Sequence, residues 1–214
     1  TKYFANNNLT ELNLKQTFFW ADADNNKITR LNEFANTFLE PCHLAKMISK
    51  YIVLSESSRS LLVLRPYQFY ATERIIKRVE NSKKNGYIWH TTGSGKTLTS
   101  FKASQLLKDL PHVHKVLFVV DRKDLDHQTK KEFNSFSADS IEGTDDTKSL
   151  VKQLTGQTKL IVTTIQKLNN AIKKDRYKSQ MKALQDKRMV FIFDECHRSQ
   201  FGETHKAIDK YFNN

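Results

Sequence analysis

Cysteine is nearly absent. Cys42 and Cys196 are the only two in 214 residues, too few and too far apart for a disulfide framework. A chain of this length needs no such staples, because it can bury a core of its own with room for a smaller appendage. A reducing, cytoplasmic setting is therefore the expectation. No apolar run approaches the roughly twenty residues that cross a bilayer. No charged-then-apolar leader opens the sequence either, so no membrane partner is expected. Three prolines punctuate the chain, and neither an internal repeat nor a low-complexity segment appears, which excludes repeat arrays. The first residue is Thr1 rather than Met, and the chain is expected to be a fragment of something longer.

Charge is plentiful and unevenly placed. The 35 basic and 23 acidic residues leave a formal net charge of +12; residues 1–64 hold 7 and 6 of them, whereas residues 65–214 hold 28 and 17. Lysines and arginines facing a phosphate backbone release counterions, so a polyanionic partner fits this excess. A basic surface that is merely solvated fits it as well.

Residues 28–54, "ITRLNEFANTFLEPCHLAKMISKYIVL", carry apolar side chains at helical spacing on both sides of Pro41, which predicts two short helices. The serine-rich "SESSRS" at 55–60 reads as a linker. From Arg65 onward, short apolar runs at 87–89, 116–120, 160–162 and 189–193 predict buried strands. Helical segments are expected at about 67–84, 96–109, 123–135, 146–154, 165–174, 178–187 and 203–212. Buried strands joined by helices imply an α/β fold with a parallel sheet covered on both faces, preceded by a small helical N-terminal segment. Ligands bind such sheets beyond the carboxyl ends of the strands.

The stretch "YIWHTTGSGKTLTSFKA" reads as a strand, a phosphate cradle and a helix. Backbone N–H groups of Thr92, Gly93, Ser94 and Gly95 can wrap a phosphate, and the helix beginning near Lys96 adds its positive dipole end. The Lys96 ammonium can reach β- and γ-phosphates, and Thr97 offers a hydroxyl to Mg²⁺. The strict G-x-x-x-x-G-K-[ST] pattern is broken, because His90 holds its first glycine position. In "MVFIFDECHRSQ", a strand delivers two carboxylates at its tip. Asp194 can hold Mg²⁺ through water, and Glu195 can deprotonate an attacking water. The pair alone could be a helix cap; after a phosphate loop, it completes a nucleotide hydrolase. Cys196 and His197 lack the partners needed for tetrahedral metal ligation.

"HTTGSGKT" with "DECH" resembles motifs I and II of superfamily-two helicases and translocases, whose loops often lack that first glycine. The blocks "LRPYQFYA", "IWHTTGSGKTLT", "FVVDRKDLDHQT", "IVTTIQKL" and "FIFDECHRSQ", in this order, resemble the motor (R) subunit of type I restriction-modification enzymes over roughly residues 60–214. The resemblance implies a RecA-like P-loop NTPase domain over residues 61–214, incomplete at its C-terminus. Residues 1–60 then resemble the mostly helical segment joining a nuclease domain to the motor. It implies ATP and Mg²⁺ as cofactors, double-stranded DNA as substrate, and the methyltransferase and specificity subunits as partners.

Carried over by position, Gln68 in "RPYQ" matches the glutamine that recognises adenine; read by itself it is an ordinary helix-surface residue. Arg122 and Lys123, and then Thr163, Thr164 and Gln166, match motifs that touch the nucleic-acid backbone. Each of these five could instead be a cap or turn residue. His197 matches the position that links hydrolysis to the nucleic-acid side. No Glu-x-Lys of the kind that ends a type I nuclease cluster occurs, and the chain stops soon after the acidic motif, before any second motor domain. The fragment is expected to bind nucleotide without translocating or cutting. Two rival readings are another superfamily-two motor, such as a type III restriction subunit or an RNA helicase, and a nucleotide-gated binding module without turnover. The absence of Asn-Lys-x-Asp disfavours a GTPase.

Overall fold

The computed structural model describes residues 3–4, 17–55, 57, 59–121, 129, 131–134, 142–194, 196 and 202–212. The chain divides into two compact units, residues 1–103 with 135–137, and residues 104–134 with 138–214.

In the first unit, β1 (Tyr3–Phe4) pairs antiparallel with β2 (Thr17–Phe18). A turn follows in which the Asp22 carboxylate accepts from the backbone of Asp24 at 3.0 Å and of Asn26 at 2.8 Å. The predicted helix pair flanks Pro41, as α1 (Leu31–Thr37) and α2 (Pro41–Lys46). Proline at the first position of α2 sacrifices no helical N–H, and the Glu40 side chain caps the helix by accepting from His43 N at 2.7 Å. A π-helical turn (Met47–Tyr51) leads into β3 (Ile52–Ser55), which pairs antiparallel with β4 (Ser60–Val63).

The serine-rich stretch is thus the tip of a hairpin rather than a linker, with Ser55 opposite Ser60 and both buried. Its serines masked a strand pair whose apolar residues lie just outside it. α3 (Pro66–Asn81) then runs against an aromatic core. Trp20 lies 4.8 Å from Phe38, 5.3 Å from His43 and 5.8 Å from Phe69, ring centre to ring centre. Glu73 on α3 accepts from the Tyr51 hydroxyl and, at 2.8 Å, from the Lys46 ammonium.

The predicted strand at 87–89 is not formed. Residues 85–91 have no regular structure, and Tyr87 and Trp89 are 78% and 87% exposed. A strand exists only through ladder partners, and among the described residues none pairs with this run. Bulk and β-branching alone did not suffice. α4 (Lys96–Lys108) begins at the predicted place.

The second unit holds a parallel sheet. Its strands are β5 (Lys115–Val120), β6 (Glu142–Gly143), β7 (Leu160–Thr164) and β8 (Met189–Phe193), in the order β6-β7-β5-β8. β5 and β7 are buried throughout, which is why they read as continuous apolar runs. Helices α5 (Thr147–Thr155), α6 (Ile165–Lys173), α7 (Lys178–Lys182) and α8 (Glu203–Phe212) connect or follow them. α7 ends at Lys182 and continues only as turns, short of the expected 187.

One face of the sheet, through Leu117, Val119 and Ile161, packs on Leu150 and Leu154 of α5, Leu168 of α6 and Ile208 of α8. On the other face, Phe118 meets Phe133 at 5.0 Å. The α/β architecture with a parallel sheet flanked by helices is as expected. No helix among the described residues is long and apolar enough to cross a membrane.

Lys115 opens β5 only 2% exposed, and its ammonium donates to Gly156 O at 2.8 Å and Thr158 O at 2.7 Å. These carbonyls end α5 and precede β7, so one cation fastens a helix C-terminus to the sheet. Burial pulls the ammonium below the usual lysine range. Lys115→Met keeps the apolar stem and strands two carbonyls, and should cost about 2–3 kcal/mol. Urea unfolding checks it, through a lower midpoint at unchanged slope.

Candidate phosphate-binding site

The loop from Thr91 to Gly95 turns on two glycines in the left-handed region, Gly93 at φ 74° and Gly95 at φ 75°. Such angles are strained for any side chain bearing a Cβ. α4 starts at once with Lys96. The turn is closed from within: Ser94 N and Oγ donate to Thr91 O at 3.3 and 2.7 Å.

His90, the residue in place of the first glycine, lies with Nδ1 3.0 Å from Ser94 Oγ. Because the serine proton goes to Thr91 O, the imidazole must donate, which fixes the proton on Nδ1. Burial, with the Lys96 ammonium adding to it, holds His90 below the usual histidine range and keeps the ring neutral.

A second set of contacts reaches the loop from α3. Gln68 is only 4% exposed. Its Oε1 accepts from Arg65 N at 2.9 Å, capping α3, while Nε2 donates to Ser94 O and Gly95 O, both at 3.2 Å. The Tyr67 hydroxyl donates to Ser94 O at 2.8 Å. A trans peptide points its N–H opposite to its C=O, and no cis peptide is present among the described residues. Holding the Ser94 and Gly95 carbonyls from one side therefore aims the Gly95 and Lys96 N–H groups to the other. That arrangement suits an anion at a helix N-terminus. Thr92 is exposed, and Lys96 and Thr97 are half-buried.

The remaining expected residues belong to the second unit. Asp194 follows β8, and its backbone N–H donates to Val119 O at 3.0 Å. Thr163 and Thr164 end β7 fully buried, with their hydroxyls engaged: Thr163 accepts from Thr144 at 3.0 Å, and Thr164 caps α6 by accepting from Lys167 N at 3.3 Å. Gln166 is exposed and donates through Nε2 to Asp121 O at 2.9 Å, pinning the exit of β5. Lys167, itself buried, donates to Thr144 O. Glu195, His197, Arg122 and Lys123 lie outside the described residues. Among the described residues, no group of three or more His, Cys, Asp or Glu side chains gathers as a metal site.

Sequence reasoning singled out neither Tyr67 nor a structural part for His90. The position of Tyr67 directly before Gln68, at the start of a helix, was the available signal.

A Cβ on Gly95 would come within 2.5 Å of Gln68 Nε2, whereas one on Gly93 would meet nothing within 4 Å. Gly93→Ala should thus cost only the left-handed strain, about 1–2 kcal/mol. Gly95→Ala should cost more, because Gln68 can retreat only by giving up its two carbonyls. In a Gln68→Ala background the excess should vanish, a coupling that a double-mutant cycle of unfolding free energies measures.

The SWI2/SNF2 ATPase family profile matches residues 67–214. The chain is 51% identical, along its whole length, to the endonuclease subunit of a type I restriction enzyme of Staphylococcus saprophyticus, and 49% to one of Staphylococcus aureus. It spans 23% of the length of each of those proteins. It is also 47% identical to the C-terminal part of a putative type I restriction enzyme endonuclease subunit of Mycoplasma pneumoniae, over 90% of the chain and 99% of that relative.

Proposed function

The chain belongs to the type I restriction enzyme endonuclease subunits, in the stretch matched by the SWI2/SNF2 ATPase profile, and on that premise we propose that it is the ATP-binding part of a motor. The complete polypeptide hydrolyses ATP, translocates double-stranded DNA and cleaves it. It does so in the cytoplasm, in company with methyltransferase and specificity subunits. Residues 61–214 are the first RecA-like domain and residues 1–60 its link to a nuclease; the family match beginning at residue 67 supports that division.

The observation that carries the reading is the braced loop, whose two left-handed glycines open directly onto α4. In this reading Thr92, Gly93, Ser94 and Gly95 cradle the phosphates, and the Lys96 ammonium offsets charge on the β- and γ-oxygens. Gln68 reads adenine. The Thr97 hydroxyl and the Asp194 carboxylate are each hard oxygen donors of the kind Mg²⁺ takes, and would hold it. The charge that develops on the transferred phosphoryl group would be neutralised by magnesium held by these oxygens. Glu195 orients the attacking water and accepts its proton as the bond to phosphorus forms. His197 links this step to the DNA side.

Arg122, Lys123 and Gln166 meet the DNA backbone, and Thr163 and Thr164 act at the same turn, where their hydroxyls set its shape. The anchoring of Asp121 by Gln166, immediately before Arg122, supports grouping them.

Lys96→Ala should abolish Mg·ATP binding by calorimetry; equal affinity in variant and parent would overturn the loop assignment. In the complete protein, Glu195→Gln should retain ATP binding yet lower DNA-stimulated hydrolysis by about 10²- to 10⁴-fold, because an amide cannot take up the proton. DNA binding should depend steeply on salt and weakly on sequence. Replacing Arg122 and Lys123 together by alanine should flatten the slope of log K against log salt by about two units, and an unchanged slope would move the DNA track elsewhere.

A further inference from the structure

Both amide hydrogens of Gln68 are already engaged by the loop, which raises a specific difficulty for base reading. Its Oε1 accepts from Arg65 N, and the two hydrogens of Nε2 serve the carbonyls of Ser94 and Gly95. Pairing with the N6 and N7 edge of adenine takes one N–H and one lone pair of an amide. Oε1 has a second lone pair to give. The N–H has to be withdrawn from one of the two carbonyls, and losing the donor of a half-buried hydrogen bond costs free energy.

The Ser94 carbonyl has a second donor, the Tyr67 hydroxyl at 2.8 Å, shorter than the 3.2 Å contact from Gln68. The Gly95 carbonyl is likewise shared, with Thr99 N and Oγ1 both at 3.2 Å. Tyr67 packs against His90 in a T-shaped pair, with ring centres 6.1 Å apart. We infer that Tyr67 is a positioning residue for nucleotide selection: its hydroxyl keeps the Ser94 carbonyl, and with it the Gly95 N–H, in place while Gln68 releases that carbonyl to engage adenine. The inference rests on the adenine reading of Gln68 proposed above. It explains how one glutamine can brace the phosphate loop and read a base without the loop losing its aim, since the peptide that Gln68 lets go has another anchor.

The test compares ATP, GTP and inorganic tripolyphosphate as ligands of the complete polypeptide and of its Tyr67→Phe, Gln68→Ala and doubly substituted variants. Tyr67→Phe keeps the ring and its packing on His90, and an unchanged melting temperature verifies that. The expected result is a loss of about five- to tenfold in ATP affinity for Tyr67→Phe, the worth of one neutral hydrogen bond, with GTP and tripolyphosphate within twofold of the parent. In the Gln68→Ala background the same hydroxyl removal leaves the Ser94 carbonyl without either side-chain donor, so it should weaken ATP, GTP and tripolyphosphate alike, and the loss particular to ATP should vanish because no adenine contact then depends on it. Equal weakening of all three ligands by Tyr67→Phe would make the hydroxyl a simple loop support and overturn the inference. So would no weakening of any, or a loss confined to ATP that persists without Gln68. The adenine reading fails separately, if Gln68→Ala keeps the parental preference for ATP over GTP.

Discussion

Peptide carbonyls that face away from a phosphate cradle must find donors, or the N–H groups on the opposite side lose their direction. In this chain, the carbonyls of Ser94 and Gly95 meet that requirement through the first turn of α3. The rest of the loop follows from it. Two glycines accept the left-handed angles that turn the backbone, and Gly95 stays bare because Gln68 occupies the space of a side chain. His90 fills the position where related loops place a glycine, and its imidazole steadies the serine between the glycines.

The second unit solves a related problem at the carboxyl edge of a parallel sheet. Strands buried on both faces deliver their polar residues only at their ends, where the chain leaves the sheet for a helix. There, Thr164 caps α6, Thr163 joins the neighbouring Thr144, and Gln166 reaches across to the end of β5. Lys115 does the converse at the amino edge, collecting the carbonyls that end α5 and lead into β7. Hydrogen bonds at both edges thus fix loops that packing alone would leave undetermined.

The family match, and the likeness of this whole chain to a part of type I restriction endonuclease subunits, are consistent with this division of labour. Tyr67, Lys115 and Gln166 each hold a turn by donating to its backbone carbonyls. On the reading proposed above, the loops have to change contacts when nucleotide binds. Redundant donors on a single carbonyl, as at Ser94, allow one contact to be exchanged without collapse of the loop.

The sequence by itself determined the class of fold and the place where a glycine turn opens onto a helix. Short continuous apolar runs bounded by polar residues read as sheet strands, and a Gly-Ser-Gly turn marks where a helix starts. Strands β5, β7 and β8, and helices α3 to α6 and α8, were legible within a few residues for that reason. What needed the tertiary structure was every property that depends on a partner distant in sequence. Residues 87–89 have the composition of a strand and no ladder partner among the described residues, so they are not one. The serines at 55 and 60 look like a linker, and they face each other across a hairpin because the strands on either side pair. Gln68 looks like a surface glutamine; only the folded chain brings Ser94 and Gly95, twenty-six and twenty-seven residues on, against its amide. Periodicity and local turn chemistry are written in neighbouring residues, whereas hydrogen-bond partners across such distances are chosen by the packing of the whole unit.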